Sequence, residues 1–112
     1  MNARELNPPV NAHGKFSHPG SKLVPEQAGC YALTNYSGDI LYVGQAKNLR
    51  QRMLSHLRGD EKRQLTPFGK ASKFHYRLCE ERKLSRLERG WINDFQLTNG
   101  DRPHFNKINP PV

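Results

Sequence analysis

The sequence predicts an α+β fold, a small three-stranded antiparallel sheet flanked by helices. Three observations carry that expectation. Two stretches rich in β-formers, 30–35 and 40–43, flank a Ser37-Gly38-Asp39 turn signal. A third stretch, 73–79, alternates Phe74, Tyr76 and Leu78 with His75, Arg77 and Cys79. Two apolar stripes of helical period lie at 49–57 and 84–95. The element order is ββα(α)βα.

Residues 1–28 lack periodicity and hold Pro8, Pro9, Pro19 and Pro25 with Gly14 and Gly20, so they read as an extended or mobile N-terminal arm. Asn-Pro-Pro-Val occurs at 7–10 and again at 109–112, which is too short to count as a repeat. Order begins at Gly29, and residues 29–112 read as the folded domain. Cys30–Asn35 and Ile40–Val43 form a hairpin closed by Gly44. A helix follows, with Asn48 as its N-cap and Gly59 just past its end. Its stripe is Leu49, Met53, Leu54 and Leu57. Arg50 falls inside that arc, which weakens the pattern; it lies in the first turn and can snorkel outward. A short helix opens at Thr66-Pro67. After the third strand, the last helix runs from about Glu80 to Leu97, with Leu84, Leu87, Trp91, Ile92 and Phe95 on one face. Asn99-Gly100 ends it, and Pro103 blocks its resumption.

The chain of 112 residues fits one compact domain, and 35% apolar residues predict a small core. The longest apolar runs are four residues, far short of a membrane span. Residues 1–10 show no apolar h-region, so no secretory signal is expected. Two cysteines cannot make a disulfide framework, and a reducing, cytoplasmic setting is the expectation. The net charge is +8, and all of it lies between residues 45 and 89, where thirteen bases face five acids. A field concentrated there suits a polyanion such as nucleic acid. No helix pairs a basic face with a large exposed apolar face, which argues against a membrane surface.

Glu88 departs from a purely structural pattern. It falls in the middle of the last helix's apolar stripe, where a carboxylate needs a metal, an arginine or a proton. Arg52 and His56 are spaced i, i+4 on one edge of the first helix, a spacing that can hold a phosphate. Tyr31 and Tyr42 fall on the same face of the hairpin for a two- or four-residue loop. Positive charge beside them is expected to lower their pKa values. Cys30 and Cys79 lack the close pairing of a zinc site. A carboxylate for a cation, Arg and His for a phosphate, and phenols for proton transfer together match the needs of phosphodiester hydrolysis.

Gly29-Cys30-Tyr31 and Tyr42-Val43-Gly44 resemble the two signature tripeptides of the GIY-YIG nuclease family. The resemblance continues through 45–52, 87–92 and His104-Phe105-Asn106, covering roughly residues 28–108. It implies a metal-dependent endonuclease on DNA that leaves 5′-phosphate and 3′-hydroxyl ends. It implies Glu88 as the metal-binding carboxylate for Mg²⁺ or Mn²⁺ and Tyr31 as the general base. Tyr42 is implied as a second active-site tyrosine and Arg52 as the stabiliser of charge at phosphorus. His56 falls where members carry His or Tyr, and Asn106 matches an asparagine that organises the site.

Cys30 and Val43 each replace an isoleucine of the signatures. Gln45 stands where many members carry lysine, which removes one positive charge from beside the tyrosines; Lys70 or Lys73 are candidates to replace it. The groove for DNA is expected to use Gln45, Lys47, Arg50, Arg58, Lys62, Arg63, Lys70 and Lys73. The chain reads as a bare catalytic module, so a protein partner or a homodimer is a candidate for targeting. The competing readings are a catalytically weak nucleic-acid binding module and an accessory subunit of a repair or mobile-element complex.

Overall fold

The computed structural model describes residues 1–107. The second Asn-Pro-Pro-Val, at 109–112, lies outside the described residues. The strands are β1 (Ala12–Lys15), β2 (Gly29–Thr34), β3 (Ile40–Ala46) and β4 (Lys73–Leu78). The helices are α1 (His18–Ser21), α2 (Leu49–Arg58), α3 (Leu84–Asn99) and α4 (His104–Lys107). All strand pairs are antiparallel, in the order β1-β4-β2-β3. The fold class is the expected one, with four strands in place of three.

Strand β2 is central and buried along its whole length, and its alternation divides the core. Cys30 and Ala32 join Val43 with Leu84, Trp91 and Phe95 of α3. Tyr31 and Leu33 join Leu49, Met53 and Leu57 of α2 with Phe74 of β4. The two amphipathic helices therefore cover the two faces of one sheet. Asn48 caps α2, its side chain accepting from the Gln51 amide, and Gly59 follows the last turn. Gly100 ends α3 at φ 80°, the left-handed conformation that glycine adopts without strain.

Residues 1–28 do not form a free arm. Met1 and Ala3 run beside the β2–β3 hairpin, the Ile40 amide donating to Met1 O and the Ala3 amide to Gly38 O. Ala3 and Leu6 are buried with α3, and the Trp91 indole donates to Pro8 O at 2.8 Å. β1 then adds to the edge of β4, pairing Ala12 with Tyr76 and Lys15 with Lys73. Val24 is buried against the α2 side. The short helix expected at Thr66-Pro67 is a tight Thr66–Gly69 turn instead. The Thr66 hydroxyl donates to Gly69 O at 2.7 Å and accepts from the Phe68 amide, drawing the backbone into a turn. A 3-10 turn forms earlier, at Glu61–Arg63.

His75 of β4 is buried, bonded to the Thr34 hydroxyl at 3.0 Å and stacked on His13 of β1 with ring centroids 5.1 Å apart. Burial, then His13 and Lys73, push its pKa down from 6.5 to about 4. Between those values the unfolded chain binds the proton and the folded chain does not. This contribution to stability is therefore full above pH 6.5 and is lost as pH falls toward 4. Chemical denaturation from pH 7 to 4.5 is expected to show His75→Gln losing a slope of at most about 1.4 kcal/mol per pH unit relative to wild type. Parallel pH profiles for the two proteins would refute this.

Candidate active site

Strand β3 lies at one edge of the sheet, and the candidate residues gather around it from both faces. Tyr31 pairs with Gly44, and Leu33 with Tyr42, so both tyrosines share the α2 face as expected. Their ring centroids are 6.0 Å apart. His56 of α2 reaches this pair. Its Nε2 lies 2.6 Å from the Tyr31 hydroxyl, and its ring packs edge-on to Tyr42 at 5.6 Å. Arg52, one turn earlier and exposed, exerts its charge on Tyr31, Tyr42, His56 and Glu88 alike. Glu88 comes from α3 on the opposite face. It is half-buried, and its Oε1 accepts from Gln45 Nε2 at 3.2 Å. Gln45 also lies 3.4 Å from Ser85 Oγ. Beside these residues a polar cleft of about 760 Å³ is lined by Gln45, Lys47, Gln51, Arg52, Arg82 and Ser85, among others.

The signature glycines have a steric reason. A Cβ on Gly44 would lie 2.6 Å from the Tyr31 hydroxyl oxygen and 2.8 Å from a Tyr42 ring carbon. A Cβ on Gly29 would lie 2.5 Å from Arg77 O, a backbone atom that cannot move aside. Gly44 thus leaves the space that the Tyr31 phenol fills.

Asn106 is placed by the edge strand. Its Oδ1 accepts from the Val43 amide and its Nδ2 donates to Val43 O, both at 2.8 Å. The carboxamide completes the outer edge of β3 and fixes α4 there.

The electrostatics differ from the sequence expectation in one respect. Both tyrosine pKa values are raised, not lowered. Burial is the largest cause for each, reinforced at Tyr31 by Tyr42 and at Tyr42 by Glu88; the opposing charge of Arg52 is smaller. Both phenols are therefore protonated at neutral pH. His56 is held down from 6.5 to about 4 by burial, then by Lys62 and Arg52, so its imidazole is neutral. In the tautomer protonated at Nδ1, the neutral imidazole accepts the Tyr31 hydroxyl proton at Nε2, 2.6 Å away. Burial raises the pKa of Glu88, while Gln45 and Arg52 act against it.

The expected groove residues separate into groups. Lys47, Arg58 and Lys70 are exposed. Arg63 is exposed and donates to Leu57 O at the end of α2. Lys73 lies over the Tyr36 ring at 5.2 Å. Gln45 faces Glu88. Arg50 does not project into a groove: its Nε donates to Val24 O at 2.8 Å and its guanidinium to Lys22 O, pinning residues 22–26 to α2. Lys62 is buried, with its ammonium 4.6 Å from the Tyr42 ring centroid. Nothing in the aperiodic stretch 59–72 signalled that position. Lys62 brings the positive charge that Lys70 and Lys73 were candidates to supply.

Among the described residues no three His, Cys, Asp or Glu side chains cluster to hold a metal ion. Glu88 offers a hard carboxylate oxygen beside the polar cleft, with Gln45 orienting it. That donor suits a divalent cation whose other ligands are water and substrate oxygens.

The profile of the GIY-YIG catalytic domain matches residues 27–101. The chain is 34% identical over 91 residues to UvrABC system protein C of Lawsonia intracellularis, covering 81% of this chain and 14% of that protein. It is 50% identical over 38 residues to UvrABC system protein C of Streptococcus equi subsp. zooepidemicus, 34% of this chain and 6% of that one. The chain thus spans a small part of the curated relatives it matches. Among solved structures it resembles the GIY-YIG N-terminal endonuclease domain of UvrC from Thermotoga maritima, a point mutant bound to its catalytic divalent cation. The TM-score is 0.59 at 24% identity, over 77% of this chain and 90% of that one, a likeness of fold. With both signature tripeptides on adjacent strands and the profile spanning most of the domain, this chain belongs to the GIY-YIG catalytic domain family.

Proposed function

We propose that this chain is a divalent-metal-dependent nuclease domain that hydrolyses DNA phosphodiester bonds to give 5′-phosphate and 3′-hydroxyl ends. The observation that carries the reading is the 2.6 Å contact between the Tyr31 hydroxyl and a neutral His56, on the same strand edge as Arg52 and Glu88. Tyr31 is scarce as a phenolate at neutral pH, because burial disfavours that charge. It works as a relay. The hydroxyl oxygen takes a proton from the attacking water as its own proton passes to His56 Nε2. The water oxygen bonds to phosphorus, the bond from phosphorus to the 3′ oxygen breaks, and that oxygen takes a proton from solvent. Arg52 meets the charge developing on the phosphate. The chemistry a divalent cation supplies when bound at Glu88 is Lewis-acid polarisation of a phosphoryl oxygen. Asn106 holds α4 and the β3 edge in register. Lys47, Arg58 and Lys70 are exposed bases suited to the DNA backbone, and Mg²⁺ or Mn²⁺ is the matching cation. Targeting falls to a partner protein or a second copy, and the setting is intracellular.

Nicking of supercoiled plasmid tests the reading. Cleavage is expected with Mg²⁺ or Mn²⁺ and none with EDTA, with ligatable 5′-phosphate ends. Salt-sensitive DNA binding without cleavage under either metal would favour the binding-module reading instead.

A further inference from the structure

Lys62 is only 7% exposed, unusual for a lysine. The 3-10 turn Glu61–Arg63 carries it back from the end of α2 over the tyrosines. Its ammonium lies 2.9 Å from Glu61 Oε1, 4.6 Å from the Tyr42 ring centroid and 5.7 Å from that of Phe105. Phe105 is held there by α4, which Asn106 ties to Val43. A lysine that grips backbone phosphate extends its ammonium into water; this one is enclosed between two rings and a carboxylate.

We propose that Lys62 is a positioning residue of the cleavage reaction, acting through Tyr42 and His56 rather than by contacting DNA phosphate. This rests on the nuclease reading above. Tyr42 has the ammonium over its face and the His56 ring packed at a steep angle to it, two neighbours that restrict the phenol. The same charge opposes protonation of His56. The groups around that imidazole are Tyr31 from β2, Tyr42 from β3, Arg52 from its own helix, and Glu61 and Lys62 from the turn. Glu61 acts in the opposite sense to the two cations, and the net effect with burial keeps Nε2 available to the Tyr31 proton.

Lys62→Met keeps the unbranched stem and removes the charge. Single-turnover cleavage at saturating DNA is expected to fall by about tenfold to a hundredfold. KM, and the slope of log affinity against log salt, are expected to stay unchanged. The acid limb of the rate profile should move to higher pH, because one of the charges opposing protonation of His56 is gone. Lys62→Arg should recover much of the rate. A raised KM with a salt slope smaller by about one, and an unchanged saturated rate, would make Lys62 a phosphate contact and overturn the proposal. A wild-type saturated rate with an unmoved acid limb would overturn it as well. Thermal melting confirms that the variant folds, and Lys62→Gln, read in the same way, replaces it if it does not. A wild-type chain inert with both metals sinks the nuclease reading; the Tyr42 ring resonances of wild type and Lys62→Met, compared without DNA, then still test the positioning, and unshifted resonances would refute it.

Discussion

Glu88→Gln is expected to lower metal-dependent cleavage by about 10³-fold or more while leaving DNA binding nearly intact. The substitution is close to isosteric. A glutamine side-chain oxygen can still accept from Gln45 Nε2, which now lies 3.2 Å from Glu88 Oε1. What disappears is the negative charge of the carboxylate proposed to hold the cation. Glu88 is half-buried on α3, and burial raises its pKa. Folding therefore disfavours the ionised form, so the neutral amide should melt at or above the wild-type temperature in metal-free buffer. Single-turnover cleavage with Mg²⁺ and Mn²⁺, together with thermal melting, checks both halves. Wild-type cleavage by the variant would place the metal elsewhere. A large fall in melting temperature would mean that Glu88 holds α3 to the sheet.

The elements legible in the sequence are those whose signals are local. β2, β3 and β4 alternate or cluster β-formers, α2 carries its own cap at Asn48, and α3 carries a five-residue stripe and a Gly100 stop. β1 carries no such signal. Its four residues, Ala-His-Gly-Lys, hold no apolar alternation, and it becomes a strand only because β4 offers an open edge. Ala3, Leu6 and Val24 are too sparse to form a pattern, yet each finds a place in a core that other elements build. Deleting residues 1–28 would strip a strand from the sheet and uncover Trp91, so such a deletion does not isolate the contribution of those residues to DNA binding. The candidate residues were legible as a set, and Tyr31, Tyr42, His56, Arg52 and Glu88 do converge on the β3 edge. Its electrostatics were not. Residue spacing reports nearby charge but not burial, and burial is the larger effect on both tyrosines. Arg50 and Lys62 look alike as basic residues near a groove. One pins a loop by two carbonyls, and the other lies against a phenol.

Tyr31→Phe is expected to slow the chemical step by about 10²- to 10⁴-fold, as removal of a proton-transfer group does. The phenylalanine ring fits the space that Gly44 leaves and keeps the stack on Phe74, whose centroid lies 4.8 Å away. What is lost is the hydroxyl, with its 2.6 Å contact to His56 and its hydrogen bonding to Arg52 and Tyr42. The relay makes a sharper claim than this single substitution tests. If Tyr31 takes the water proton only as it gives its own to His56, the two residues act as one unit. His56→Gln should then cost a similar factor, and the double variant should be little slower than either single one. A tyrosine acting as the base alone, as a phenolate, predicts the reverse: His56→Gln with a modest effect, and two losses that multiply. Single-turnover rates of the four proteins at saturating Mg²⁺ separate the two cases. Multiplying effects would return the base to Tyr31 as a phenolate. That phenolate would then need DNA or cation binding to overcome the burial that raises its pKa in the free protein.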